Sequence, residues 1–124
     1  MGGTDSGPEN RRDRRYAIRV PIYVALGKEI VHKRIPLESR DVSAGGLSFE
    51  TSRQMPLAAD TQIVLARLGD DGGAAAIRGH VVWTRALPDR RRHLVGVRFV
   101  EYEGVSREDL AARIEAVARE QAVE

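Results

Sequence analysis

The sequence contains no cysteine, few aromatic residues and no long apolar run. Without cysteine the chain has no disulfides and no thiolate chemistry, and nothing indicates an oxidising compartment. No apolar run approaches the roughly eighteen residues that a membrane span needs. Residues 1–10 are polar and glycine-rich, unlike a secretory signal. We therefore expect a cytoplasmic protein without a membrane span.

Length and overall composition are those of one globular domain. The chain has 124 residues, of which 42% are hydrophobic and 31% charged, so it can bury one apolar core. Residues 1–10 contain Gly2-Gly3 and Ser6-Gly7-Pro8 and offer nothing to bury, which predicts a disordered tail. We expect residues 11–124 to form the domain.

Short segments with alternating apolar and polar residues predict an all-β fold. Val20, Ile22 and Val24 alternate with other residues at a period of two, which is typical of a strand. Further segments of this type cover about residues 30–42, 47–51, 62–68, 74–85 and 94–100. Turn residues separate them, most clearly Gly69-Asp70-Asp71-Gly72-Gly73, and Pro36 favours an edge, a bulge or a break in the second segment. Five or six such strands fit an antiparallel barrel over about residues 20–101.

A helix is predicted after the strands. Ser106, followed three residues later by an acidic residue, resembles a capping box. Leu110, Ile114 and Val117 then follow at positions i, i+4 and i+7, which gives one apolar helix face. We expect this helix over about residues 107–121, packed on the barrel mouth or against a partner.

The basic residues are clustered, although the net charge is only +2. Only two of the 20 basic residues are lysines, and five of the nine residues from Arg11 to Arg19 are arginines. Guanidinium groups bind phosphates through two hydrogen bonds and stack on flat rings. Such a cluster indicates either an anionic partner or a solvated basic linker.

The segment Asp41-Val42-Ser43-Ala44-Gly45-Gly46 is a second candidate for function. Its glycines permit positive φ and close approach of a ligand, and its carboxylate and hydroxyl can bind local amides or a ligand. By itself the segment is more typical of an ordinary tight turn between strands. Arg19 and Asp41 are 22 residues apart, so one strand out and one strand back would bring the two segments together. Arginines bind guanine O6 and N7, so the combined site suits an anion that carries phosphates and guanines.

These two segments resemble the two-part signature of PilZ domains, which are bacterial receptors for cyclic di-GMP. Arg14-Arg15-x-x-x-Arg19 and Asp41-x-Ser43-x-x-Gly46 match the signature at every position. The resemblance covers about residues 11–121 and includes Pro21, Met55-Pro56, Val81-Val82-Trp83 and Gly96-Val97-Arg98-Phe99. One departure is Ala59-Asp60, where the family often has a glycine.

The resemblance implies a six-stranded antiparallel barrel with a C-terminal helix. Residues 11–19 would become ordered over the ligand, with Arg15 and Arg19 contacting its phosphates and guanines. Arg14 stands where family members that bind a stacked ligand dimer carry an arginine. We expect no metal, no cofactor besides the ligand and no catalytic residue.

The turn residues also receive ligand-binding roles from the resemblance. Asp41 and Ser43 would contact guanine edges, and Gly46 would leave room for the ligand. The bound domain would signal to an unidentified partner protein that acts in motility, exopolysaccharide secretion or biofilm formation. Ligand stoichiometry and formation of a homodimer are left open.

Two other functions stay open on the sequence alone. The first is an adaptor of the same fold that binds no nucleotide, which the intact signature disfavours. The second is a basic barrel that binds nucleic acid, which is disfavoured because two Phe, three Tyr and one Trp offer few stacking platforms. Trp83 is expected in the core instead, and the three histidines lack the spacing of metal ligands. An enzyme is not expected.

Overall fold

The computed structural model describes residues 14–26, 35–52, 55–66, 68, 73–89 and 91–123. Within these residues, six strands precede one helix: β1 (Pro21–Leu26), β2 (Ile35–Ser43), β3 (Gly46–Thr51), β4 (Asp60–Leu65), β5 (Ala75–Ala86), β6 (His93–Glu103) and α1 (Arg107–Val123). The predicted tail over residues 1–10 and most of the predicted turn at residues 69–73 lie outside the described residues.

The strands form a closed barrel in the order β1-β2-β3-β6-β5-β4, and all neighbours are antiparallel. The predicted fold class, an all-β barrel of six antiparallel strands with one C-terminal helix, is confirmed. Closure leaves no free sheet edge in this barrel. Pro36 therefore does not occupy an edge, and it pairs with Tyr23 on β1.

Alternate side chains of each strand fill the barrel interior. The inward set includes Ile22, Val24, Leu47, Phe49, Ile63, Leu65, Ile77 and Val95. Because strand residues alternate between faces, the residues between them lie on the outer surface.

Helix α1 packs against this core through the face that its spacing predicted. Leu110 and Ile114 are buried in the core cluster, and Val117 is half-buried against it. The Ser106 hydroxyl accepts a hydrogen bond from the Asp109 N–H at 3.0 Å, so the predicted cap begins the helix. No helix among the described residues is both long and apolar enough to cross a membrane.

One extra residue in β2 changes which side chains face outward. Ser39 pairs with Phe49 and Asp41 pairs with Ser48, so Arg40 has no opposite residue on β3. In a regular strand Asp41 would face inward together with Ser39, because side chains alternate. The bulge at Arg40 places Asp41 on the outer surface instead.

A buried serine attaches the segment ahead of β1 to β2. The Ser39 hydroxyl donates to the Ile18 carbonyl at 2.8 Å and accepts from the Val20 N–H at 3.0 Å. Nearer the N-terminus, Tyr16 and Val42 exchange two backbone hydrogen bonds of 2.9 Å each. Residues 16–20 therefore run alongside β2.

Replacing Ser39 with alanine is expected to lower the free energy of unfolding by about 1–3 kcal/mol, because the buried Val20 N–H loses its acceptor. Urea denaturation followed by circular dichroism measures the change. The exposed Ser52→Ala variant is the control, with an expected change below about 0.5 kcal/mol. Equal and small effects of both substitutions would contradict the proposed attachment.

Candidate ligand-binding cleft

The pairing register gathers residues from four strands on one part of the outer surface, which we call the cleft face. Two rows cross β2, β3, β6 and β5 there. The first row is Asp41, Ser48, Gly96 and Trp83, and the second is Ser43, Gly46, Arg98 and His80. Neighbours within a row are about 5 Å apart, and on β2, β3 and β6 the rows are separated by two residues, or about 7 Å. A cleft of about 680 Å³ opens on this face.

Arg15 and Asp41 meet beside the cleft. Arg15 Nη1 lies 2.8 Å from Asp41 Oδ1. The arginine side chain is 54% exposed and the carboxylate 35%, so solvent screens the pair. The path predicted from the 22-residue separation thus brings the arginine segment and the turn together.

The side chain of Ser43 stabilises the turn between β2 and β3. Ser43 Oγ donates to the Gly46 carbonyl and accepts from the Gly45 N–H, both at 3.2 Å. Ser43, Gly45 and Gly46 all line the cleft. Neither glycine has a positive φ, so the expected left-handed conformation is not the reason for their presence.

Gly46 is required by the packing of two strands. A Cβ at this position would collide with the carbonyl oxygen of Val97 on β6. Glycine at this position therefore lets β3 approach β6. This packing requirement is a second reason for glycine here, in addition to the room for a ligand that the resemblance implied.

Arg14 and Arg19 contact residues outside the cleft. Arg19 Nη1 lies 3.8 Å from Glu38 Oε1. The backbone N–H and carbonyl of Arg19 both bind the side-chain amide of Gln121 in the last turn of α1, at 3.2 and 2.9 Å. The Arg14 guanidinium lies over the Tyr16 ring, 5.4 Å from its centroid. Neither of these two arginines is among the residues that line the cleft.

Trp83 lies on the cleft face and not in the core. Val82 is an extra residue in β5, since Val81 pairs with Val97 and Trp83 pairs with the next residue, Gly96. A regular strand would point Trp83 inward, so the expectation of a core position was wrong because of this bulge. A Cβ on Gly96 would overlap the indole ring, so glycine allows the half-buried ring to lie across β6.

Two arginines that the sequence did not assign to the site also line the cleft. Arg98 comes from β6, and Arg107 is the first residue of α1. Arg107 Nη1 donates to the Tyr102 hydroxyl at 3.5 Å. Among the described residues, no carboxylate lines the cleft, while Val82 and Val100 add exposed apolar surface. The cleft therefore favours an anion with flat apolar groups.

Arg91 and Arg92, in the loop after β5, bind the carboxylate of Asp89. The carboxylate of Asp89 accepts hydrogen bonds from the backbone N–H groups of Arg91 and Arg92 at 3.0 and 3.1 Å, and these bonds lower the pKa of Asp89. Arg92 also pairs with Glu50 at 3.1 Å. These contacts partly neutralise the positive charge of Arg92.

Barrel, C-terminal helix and arginine-lined cleft together define a small β-barrel domain with an open basic cleft. The family model of the PilZ domain matches residues 9–116. The chain belongs to the PilZ domain family. No match was found among curated proteins.

Several solved structures share this fold. The Bacillus subtilis inhibitor of motility (MotI/DgrA) has a TM-score of 0.65 at 12% identity, covering 89% of this chain and 50% of that one. The PilZ domain of YcgR from Escherichia coli, solved with c-di-GMP, has a TM-score of 0.58 at 19% identity over 92% and 98% of the two chains. The K. pneumonia MrkH–c-di-GMP complex has a TM-score of 0.56 at 18% identity over 92% and 52%. This chain thus spans about half the length of the MotI and MrkH chains.

Replacing Gly46 with alanine is expected to lower the free energy of unfolding by about 1–3 kcal/mol, because the new methyl group separates β3 from β6. Asp41→Asn is the matched comparison, since it removes only an exposed ion pair and should cost less than about 1 kcal/mol. Urea denaturation of both variants measures the difference. A Gly46→Ala variant as stable as the unaltered protein would contradict the close approach of the two strands.

Proposed function

We propose that this PilZ domain binds cyclic di-GMP in the cleft on β2, β3, β6 and β5. One observation carries the proposal: Arg15, from the first half of the signature, pairs with Asp41, from the second half, beside an arginine-lined cleft. Cyclic di-GMP has two phosphates and two guanines, which are the groups that such a cleft favours. The structures of the YcgR PilZ domain and of MrkH, each with c-di-GMP, support the same ligand.

The guanine edges are assigned to the turn. The Asp41 carboxylate has two oxygens, so it can keep its ion pair with Arg15 and also accept hydrogen bonds from guanine N1–H and N2–H. Arg15 can in turn bind guanine O6 and N7, or a phosphate. Ser43 contributes a hydroxyl, and the ring of Trp83 together with Val82 offers an apolar surface for a base.

Ligand binding would recruit the other two arginines of the signature. Arg19 has to exchange its pairing with Glu38 for a phosphate, and Arg14 has to leave the Tyr16 ring. Both contacts are exposed and weak, so their loss costs little. The proposed ordering covers residues 11–19. Because the backbone from Tyr16 to Val20 is already bound to β2, the change in that part would concern mainly the side chain of Arg19. With Arg14 engaged, the cleft could take a stacked ligand dimer.

The ordered segment would change the surface that the domain presents to a partner protein. We propose a receptor that acts in the cytoplasm without catalysis of its own, with an output in motility, exopolysaccharide secretion or biofilm formation. The name of MotI, an inhibitor of motility, supports the first of these outputs.

Calorimetric titration with cyclic di-GMP is expected to show saturable binding at micromolar concentration. Arg15→Ala and Arg19→Ala should abolish measurable binding, because each removes a charged ligand contact. Arg119→Ala is the control, since Arg119 pairs with Glu115 on α1. Fluorescence of Trp83, the only tryptophan, should change on binding.

Absence of binding by the folded protein would reject the receptor and favour an adaptor that binds no nucleotide. Binding of a single-stranded oligonucleotide that falls steeply with salt and resists competition by cyclic di-GMP would favour a nucleic-acid-binding barrel.

A further inference from the structure

We propose that Arg98 is a phosphate anchor of this cleft, outside the two-part signature. Its guanidinium would hold one phosphate on the β6 side, opposite the phosphate or guanine held by Arg15 on the β2 side. The inference rests on the proposed function, because it names a further contact of the same ligand in the same cleft.

The strand register gives Arg98 its position. Arg98 pairs with Gly46 on β3, and Gly46 pairs with Ser43 on β2, so the arginine stands in the second row of the cleft face. Because Gly46 has no side chain, no side chain stands between Arg98 and Ser43 in this row. Arg98 is exposed and lines the cleft together with Ser43.

Asp60, the acidic residue that extends the row of Arg98, pairs with His80 and not with Arg98. The second row continues from His80 to Asp60 on β4, and His80 Nδ1 lies 3.0 Å from Asp60 Oδ1. Among the described residues, Arg98 forms no ion pair. Arg78, which also faces outward on β5, differs because it lies 3.3 Å from Glu101.

Charge and spacing favour a ligand with two anionic groups. Arg98 lines the cleft on the β6 side, and no carboxylate is among the described lining residues, while Arg15 on the β2 side pairs with Asp41 beside the cleft. The cleft therefore presents arginines to an anion from two sides. Arg98 lies two strands away from β2, or about 10 Å between backbones. Anchors on opposite sides of the cleft suit two phosphates within one cyclic dinucleotide.

The test is a titration of cyclic di-GMP into the unaltered protein and the variants Arg98→Gln, Arg98→Met and Arg78→Gln. Both Arg98 variants are expected to weaken binding about tenfold or more, since each removes a charge-assisted contact to phosphate. Arg78→Gln is expected to bind within about twofold of the unaltered protein, because it removes one nearby charge that lies outside the cleft. The midpoint of thermal unfolding should stay unchanged in all variants, which separates a ligand contact from a structural role.

Arg98 is replaced by two neutral residues so that, if one variant fails to fold, the other still tests the inference. Unaltered affinity in a folded Arg98 variant would overturn the inference and leave the proposed function in place. Equal weakening in the Arg98 and Arg78 variants would also overturn it, because long-range charge would then explain the effect. If the unaltered protein itself does not bind cyclic di-GMP, the proposed function and the inference both fall.

Discussion

The position of Asp41 depends on one unpaired residue in β2. Arg40 has no opposite residue on β3, and this bulge turns Asp41 outward while Ser39 stays inside the barrel. An inward Asp41 would bury a carboxylate among apolar side chains, at a cost on the order of several kcal/mol. Ser39, held inside, binds the backbone of Ile18 and Val20. The same strand therefore positions both halves of the signature.

A second bulge shapes the opposite side of the cleft. The extra Val82 turns Trp83 outward, and Gly96 leaves space for the indole ring. Gly46 in turn lets β3 and β6 approach, so the two halves of the cleft face lie close together. The resulting surface combines arginines on two sides with an aromatic ring, so it can bind an anion and stack on a flat group. Its chemistry thus depends on two of the irregular strand pairings in the barrel.

Much of the fold could be predicted because its signals are local. Alternation predicted strands, and the spacing of Leu110 and Ile114 predicted the buried face of α1. The bulges could not be predicted, since they arise between strands, and the core position expected for Trp83 was wrong for that reason. The place of Arg98 in the cleft lining could not be predicted, because its neighbour Gly46 is distant in sequence. The meeting of Arg15 with Asp41 was predictable from chain length, whereas the bond between Arg19 and the end of α1 was not.

The most direct test of the cleft face is a titration of ¹⁵N-labelled protein with cyclic di-GMP, followed by NMR. We predict that the largest shifts occur at the amides of residues 41–48 and 96–98 and at the indole N–H of Trp83. These groups belong to the two rows that cross β2, β3, β6 and β5. Shifts confined to the outer surface around Tyr23 and Val64, which pair on β1 and β4, would contradict this site. An unchanged spectrum at saturating ligand would contradict binding altogether.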